Sequence, residues 1–440
     1  MDGLNRIMLQ DLVEKVNELC DNSYEACLQL LTRLIACKSL SGNEAECAEV
    51  LVSFFNNRNM PCLVDSRGSV LAVSLPRSFN AEPPIDMAKD GGAWLLSQLD
   101  KARDQGLKIL AFNAHLDVVG ADNRDEWRDD PFKAIRKFGR IFGRGACDMK
   151  GALAAMSFAI AISHDLDRSF GRQCVLLGCF CTEEEVAEGL AFKELCEEFS
   201  LKPDMVLLGE PSKMQIARGQ RGKLEMLVET TGTCAHTSVP ETGENAAYKL
   251  AKALLAIENF DAEERFKHGL EAENILKRTT MVAAMIESWP KSKSFVPNHA
   301  RAHVTARLAL DETLVTVGKR LIADENWPDA TIRPIIYDGK SYKGRSSEWK
   351  SEHPAWETSA DHPFFHRLSG AFKELFDNEP VDKIWPFSTD GVYSAGMAGI
   401  PTLGIGPGNE EVAHKNDEWV AEEELKNALK LYTFLAFYKP

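Results

Sequence analysis

Leu110-Ala-Phe-Asn-Ala-His115-Leu-Asp117 is an apolar run that closes on a histidine and a carboxylate two residues apart. Its length and composition are those of a buried strand. Side chains at i and i+2 of a strand point to the same side, so Asp117 is placed to support His115. Two further strand-like runs end in acids: Cys174–Cys181 runs into Glu183-Glu184-Glu185, and Met205–Leu208 runs into Gly209-Glu210. Between these runs, Gly151–His164 is small and apolar enough to be a buried helix, and Leu190–Glu198 reads as another helix. Strands alternating with helices predict an α/β layer around a mostly parallel sheet flanked by helices. Ligands collect at the strand ends of such sheets.

Outward from this centre, Leu12, Val16, Leu19 and then Leu28, Leu31, Leu34, Ile35 recur at helical spacing. Ser41-Gly-Asn-Glu44 has the pattern of a capping box opening the next helix, with Val50, Leu51 and Phe54 on its apolar face. Ser69–Leu75 reads as a strand. Pro76–Gly106 is too long for a structureless loop, so a helix is expected around Trp94–Ala102.

The texture changes near Arg221. Alternating runs at Leu224–Thr230, Thr279–Ile286, Arg301–Leu310 and Thr331–Ile336 are separated by helical stretches at Asn245–Ile257 and Glu312–Ala323. Strand, helix, strand, strand, helix, strand is the ferredoxin-like α+β order. The expected organisation is a domain at 219–337 inserted into a larger unit formed by 1–218 and 338–440. At 440 residues the chain exceeds the size of one ordinary core, which agrees with two domains.

With 66 acidic and 51 basic residues the formal charge is −15, which argues against nucleic acid and anionic membranes as partners. Charged residues interrupt the first twenty positions, so no secretory h-region is expected, and no apolar run reads as a bilayer span. The eleven cysteines include no CxxC pair, which suits reduced thiols in the cytoplasm.

Three more stretches carry chemistry. In Ile141-Phe-Gly-Arg-Gly-Ala-Cys-Asp148-Met-Lys-Gly151, glycines turn the backbone around one carboxylate just before a helix. Asp148 is placed either to bridge two cations or to cap that helix. The triplet Glu183–Glu185 is either a solvated acidic loop or a metal ligand beside a general base, since three adjacent acids repel unless relieved. Gly404-Ile-Gly-Pro-Gly408 precedes His414, and its spacing matches no phosphate-binding loop. Two histidines and several carboxylates at strand ends, without cysteine, suit two divalent cations such as Zn²⁺, Co²⁺ or Mn²⁺.

These motifs, with Trp127, Asp130-Pro-Phe132, Gly209-Glu-Pro-Ser212, Gly232-Thr-Cys-Ala-His236, Ser388-Thr-Asp-Gly391 and Gly399-Ile-Pro401, resemble the zinc aminoacylase, acetylornithine deacetylase, succinyl-diaminopimelate desuccinylase and carboxypeptidase G family of metallopeptidases. The resemblance covers nearly the whole chain. It implies a zinc-exopeptidase-like catalytic domain with an inserted lid, and a homodimer formed through that lid. It implies that Asp148 bridges two metals, Zn²⁺ before Co²⁺ or Mn²⁺. His115 and Glu210 complete one site, Glu185 and His414 the other. Glu184 is the implied base, Asp117 supports His115, and His236 stabilises the oxyanion, from the partner subunit in some relatives. A cis peptide after Asp148 is also implied.

The implied substrate is an N-acyl amino acid or a small peptide. Arg221 and Arg307 are candidates to clamp its carboxylate, and Asn298 to contact it. Two departures bear on substrate: Ser294 stands where many relatives carry Asn, and Thr305-Ala-Arg307 keeps the Arg of an Asp-x-Arg strand without its Asp. Glu at position 210 favours deacylase and desuccinylase chemistry over dipeptidases. The competing readings are a dipeptidase or carboxypeptidase of the same family, a non-catalytic metal-stabilised binding protein, and a thiol hydrolase using Cys147 or Cys234.

Overall fold

The computed structural model describes residues 3–79, 81–122, 124–172, 174–271 and 275–439. Its larger sheet is mixed. Lys108–His115 runs parallel to Cys174–Cys181 on one side and to Met205–Leu208 on the other, and Thr402–Gly404 continues the parallel run. One flank is antiparallel, Cys62–Val64 and Val70–Ser74; at the other, Ile216–Gln220 pairs antiparallel with Thr402–Gly404 and Trp356–Glu357 and parallel with Asp382–Trp385. The parallel centre is apolar on both faces because helices cover both.

Alternate residues of the central strand divide between those faces. Leu110, Phe112 and Ala114 join a core with the helices Gly3–Ala36, Gly151–Phe170 and Glu422–Leu435. Ile109 and Ala111 join a second core with Met87–Asp104 and Leu190–Glu198. Met87–Asp104 is longer than expected. Asp86 caps it by accepting from the Lys89 backbone N–H at 3.1 Å, and Leu95, Leu99 and Ala102 bury its inner stripe. Ala146–Phe170 is long and apolar enough to pass as a membrane span, contrary to the expectation that no run is, but its apolar window is 100% buried within the protein.

A separate antiparallel sheet has the order Thr280–Trp289, His299–Leu308, Gly222–Thr231, Ala330–Pro334. Ala246–His268 and Leu314–Ile322 pack on it, so the arrangement is the ferredoxin-like one. Burial alternates along His299–Leu308: Ala300, Ala302, Val304, Ala306 and Leu308 face those helices. Arg307 therefore lies on the opposite face, as does Lys223 on the neighbouring strand.

The two sheets meet where Ile216–Gln220 passes into Gly222–Thr231. The return path contains a hairpin that the sequence pattern did not predict, Ile336–Lys340 with Ser346–Lys350. Glu352–His353 then pairs with the small sheet and Trp356–Glu357 with the large one.

Candidate active site

Strand ends of the larger sheet bring His115, Asp148, Glu184, Glu185, Glu210 and His414 around one cavity. Asp148, the three glutamates and His414 line its roughly 310 Å³, and His115 is buried behind them. Asp148 is central. Its Oδ1 lies 3.0 Å from His115 Nε2 and its Oδ2 lies 3.1 Å from His414 Nε2. Glu185 Oε2 is 3.0 Å from the same His414 nitrogen. His115, Asp148 and Glu185 form one cluster of convergent ligand atoms, and His115, Glu184 and Glu210 form another, each within 4.8 Å.

His115 Nδ1 sits 2.9 Å from the carbonyl oxygen of Asp117, and 3.5 Å from its carboxylate. A carbonyl only accepts, so Nδ1 carries the hydrogen and Nε2 is left to ligate. Asp117 thus supports His115 mainly through its backbone. Its carboxylate instead holds the acid triplet. Oδ1 accepts from the Glu184 N–H and Oδ2 from the Glu185 N–H, each at 3.1 Å. Ser41 Oγ donates to Oδ2 at 2.7 Å.

That contact overturns the capping-box reading of Ser41-Gly-Asn-Glu44. Neither side chain caps the helix Ala45–Asn56. Glu44 is buried and accepts from the Glu183 N–H at 3.0 Å. A short Ser-x-x-Glu pattern is locally identical in both uses, and only the neighbouring strand ends decide between them.

Glu183 has a left-handed backbone, φ +55°, which turns its side chain away from its neighbours'. Its carboxylate binds buried Arg67 and accepts from the Tyr337 hydroxyl at 2.7 Å. Glu184 and Glu185 are the members of the triplet that face the cavity. The Asp148–Met149 peptide is cis, as the resemblance implied. Buried Glu418 holds that turn: its Oε1 accepts from Cys147 N–H (2.8 Å) and Asp148 N–H (3.0 Å), and its Oε2 pairs with Arg144 at 2.6 Å. No local pattern in the sequence marks Glu418 for that role.

The electrostatics fit cations. Burial pushes Glu184 and Glu210 well above the usual carboxylate range, and repulsion from Glu210 and from Asp148, respectively, adds to it. Burial and the Asp148 charge push Glu185 up to about 7. Hydrogen bonds to Asp148 and Glu185 raise His414 to about 10. Burial opposes charge on His115, yet its contacts with Asp117 and Asp148 outweigh burial and raise it. Protons in such a cluster occupy positions that divalent cations would otherwise neutralise.

The remaining candidates divide. Arg307 lines the cavity with Lys223, Glu188, Ser388 and Glu410. Lys223 Nζ is paired with Glu188 Oε1 at 2.9 Å, whereas Arg307 Nη1 is buried with no hydrogen-bond partner among the described residues. Arg221 is a correction. It does not line the cavity, because its Nη2 is spent on the carbonyls of Arg278 and Arg307 and the Thr280 hydroxyl, at 2.8, 2.8 and 3.0 Å. Asn298 is also absent from the cavity: it is exposed, and its carbonyl accepts from the Gly232 N–H at 2.9 Å. His236 is exposed on the small sheet's loop, 2.7 Å from Ser238 Oγ, and does not line its own chain's cavity. Cys147 is buried: burial and Glu418 push its thiol well up, and it donates to the Asn409 carbonyl at 3.3 Å, an environment that works against thiolate formation. Lys223, Glu188 and Glu410 carry no local pattern that would have marked them, whereas Ser388 belongs to the Ser388-Thr-Asp-Gly391 motif.

Comparison with known proteins agrees with this geometry. Residues 111–437 match the model of peptidase family M20/M25/M40. The protein YgeY of Escherichia coli strain K12, described as uncharacterized, is 30% identical over 329 residues, covering 74% of this chain and 80% of YgeY. A succinyl-diaminopimelate desuccinylase of Marinobacter nauticus is 29% identical over 347 residues, covering 74% and 81%. The solved structure of Bacillus subtilis YxeP, described as a dinuclear metal-binding peptidase of family M20, superposes with a TM-score of 0.65 at 13% identity, covering 95% of this chain and 98% of YxeP. The last likeness shows the fold.

Proposed function

We propose, for a chain that belongs to peptidase family M20/M25/M40, hydrolysis of the amide bond of an N-acyl amino acid or a small peptide, with two divalent cations as cofactors. The chain is a metallo-hydrolase acting on amide bonds. The observation that carries the two-cation reading is Asp148, which offers one oxygen to each of two imidazoles, at 3.0 and 3.1 Å. His115, Asp148 and Glu210 would hold one cation; Asp148, Glu185 and His414 would hold the other. A set of nitrogen and carboxylate donors without thiolate suits Zn²⁺, and also Co²⁺ or Mn²⁺. When bound, such cations would supply Lewis acidity, lowering the pKa of water and polarising an amide carbonyl.

The chain's own residues do the rest. Glu184 takes the water's proton and delivers it to the leaving nitrogen. Asp117 holds Glu184 and Glu185 in register through their backbone N–H groups. Arg307 binds the substrate carboxylate with its free Nη1, a pairing suited to a guanidinium. Removing one charge-assisted hydrogen bond forfeits about 1.5–3 kcal/mol, so Arg307→Ala should lower kcat/KM about 10- to 100-fold on carboxylate-bearing substrates. The same variant should change little on their carboxamide counterparts, and an equal loss on both would remove Arg307 from the clamp.

His236 supplies the oxyanion donor from the partner of a homodimer. The small sheet supports that assembly. Its edge strand Thr280–Trp289 exposes Val282, Met285 and Ile286, beside a hollow of about 460 Å³ lined by Leu254, Leu255 and Met281. Unpaired apolar edges of this kind call for a partner. Mixing His236→Ala subunits with Glu184→Ala subunits should restore part of the turnover each lacks; no recovery would place His236 within its own chain's reaction. The free thiols among the described residues support a reducing, cytoplasmic setting.

The direct test is a panel of N-acetyl and N-succinyl amino acids and dipeptides, assayed before chelation, after it and after reloading. Turnover should disappear with the cations and return with them. Turnover that survives their removal would sink the reading.

A further inference from the structure

One wall of the cavity is a row of basic side chains across the small sheet. His299–Leu308, Gly222–Thr231 and Glu352–His353 lie side by side, and Arg307 and His353 stand directly opposite Lys223 on its two flanks. Residues opposite one another on neighbouring strands project from the same face, within reach of each other's side chains. Arg307 and Lys223 line the cavity, and His353 is buried.

The loop that follows Cys174–Cys181 brings one acid to this row. Glu188 lies three residues beyond Glu185. Its Oε1 is 2.9 Å from Lys223 Nζ and its Oε2 is 3.3 Å from His353 Nδ1. The loop is fixed at that point: Trp349 Nε1 donates to the Glu188 carbonyl at 3.1 Å, and the Gly189 N–H donates to Asp390 Oδ1 at 2.8 Å. Arg307, by contrast, keeps Nη1 buried with no hydrogen-bond partner among the described residues. The hydrolysis proposed above uses neither Glu188 nor Lys223.

We propose that Glu188 is a specificity-determining residue: by engaging Lys223 it leaves Arg307 as the cation of the row that meets substrate, so the cavity takes N-acyl amino acids with a single carboxylate and rejects those whose side chain carries a second. Lys223 and Arg307 together would present two charges to the cavity. With Glu188 in place they present one. Burial opposes charge on Lys223, yet Glu188 outweighs burial and raises it above its ordinary value. Burial holds His353 below its ordinary value, so at neutral pH it adds no charge to the row.

A second substrate carboxylate would have to displace Glu188 from Lys223 or lie beside it, where like charges repel. Specificity of this kind comes from the repulsive element as much as from the attractive one. The other acid beside Lys223 is a weak substitute: Glu225 Oε2 is 3.7 Å from Lys223 Nζ, and its side chain is 34% exposed. Glu410, also in the lining, is engaged by Lys383.

The effect on turnover rests on the reaction proposed above; the effect on binding does not. N-acetylglutamine and N-acetylglutamate have nearly the same shape and differ by one charge. Turnover of both is measured on metal-loaded, full-length protein, and binding of both by calorimetry in the Glu184→Gln background. The native row should favour N-acetylglutamine. Glu188→Gln keeps the size and removes the charge, so it should raise kcat/KM and affinity for N-acetylglutamate about 10- to 100-fold, the worth of one charge-assisted pair, with little change for N-acetylglutamine. Adding Lys223→Gln should abolish that gain. Glu188→Asp withdraws the carboxylate by one methylene and should shift the preference the same way by less, which keeps the test open if the glutamine variant does not fold. A purely structural role for Glu188 would lower both substrates together, and that result overturns the proposal. So does a gain that persists without Lys223, or a ratio of affinities that none of the variants changes. If neither compound is turned over by any form of the protein, the proposed reaction fails for this class, and the calorimetric ratio still decides the role of Glu188.

Discussion

Glu184→Gln is expected to lower kcat by about 10²- to 10⁴-fold while two cations stay bound, because glutamine fills the same space and cannot accept a proton. Glu184 belongs to no ligand set in the proposed assignment, so metal content separates a lost base from a lost site. Its backbone is fixed by the Asp117 carboxylate at 3.1 Å, a contact that the substitution leaves in place. Glu183→Gln is the control. Glu183 is turned to Arg67 and Tyr337, so its loss should be read in stability before turnover. Near-normal turnover in Glu184→Gln together with collapse in Glu183→Gln would mean that the triplet acts one residue earlier.

The second large effect is expected at Asp148. Asp148→Asn replaces two charged oxygens by one neutral oxygen and an amide that cannot ligate, at the position facing both His115 and His414. Both cations should be lost together, with turnover down by more than about 10³-fold, since each supplies several kcal/mol of transition-state stabilisation. The Glu418 contacts to the backbone of Cys147 and Asp148 do not involve the replaced side chain, so the turn should survive. Metal content is the measurement that decides. A variant that still binds two cations with wild-type affinity would remove Asp148 from the bridging position.

Much of the site was legible because its residues belong to short, local patterns. A strand that ends in His115-Leu-Asp117, or in three consecutive glutamates, reveals both its element and its polar end. The small sheet was legible from the change to alternating strands. Its connection back to the large sheet was not, because Ile336–Lys340 and Ser346–Lys350 alternate between half-buried and exposed positions and bury no continuous apolar face. Yet that hairpin provides Tyr337, which holds Glu183 aside.

Arg221 and Arg307 show where local pattern stops. Both are arginines on or beside strands of the small sheet, and both suit a carboxylate. Arg221 is consumed by backbone carbonyls, while Arg307 lines the cavity and keeps a buried nitrogen without a partner among the described residues. That difference depends on which strand face meets the larger sheet, a relation spanning segments far apart in the chain. The same holds for Ser41 and Glu44, whose spacing is that of a helix cap and whose partners, Asp117 and Glu183, come from two other strand ends.

The residues around the cavity therefore divide by physical cause. The sequence alone placed His115, Asp148, the triplet Glu183–Glu185, Glu210 and His414 at strand ends and glycine turns, which are written locally, and the family resemblance implied which of them act together. Tertiary structure decided that Asp148 stands between the two histidines, that Glu183 is excluded, and that Arg307 rather than Arg221 faces the cavity. Those are matters of distance across the fold, set by which apolar faces the two sheets bury.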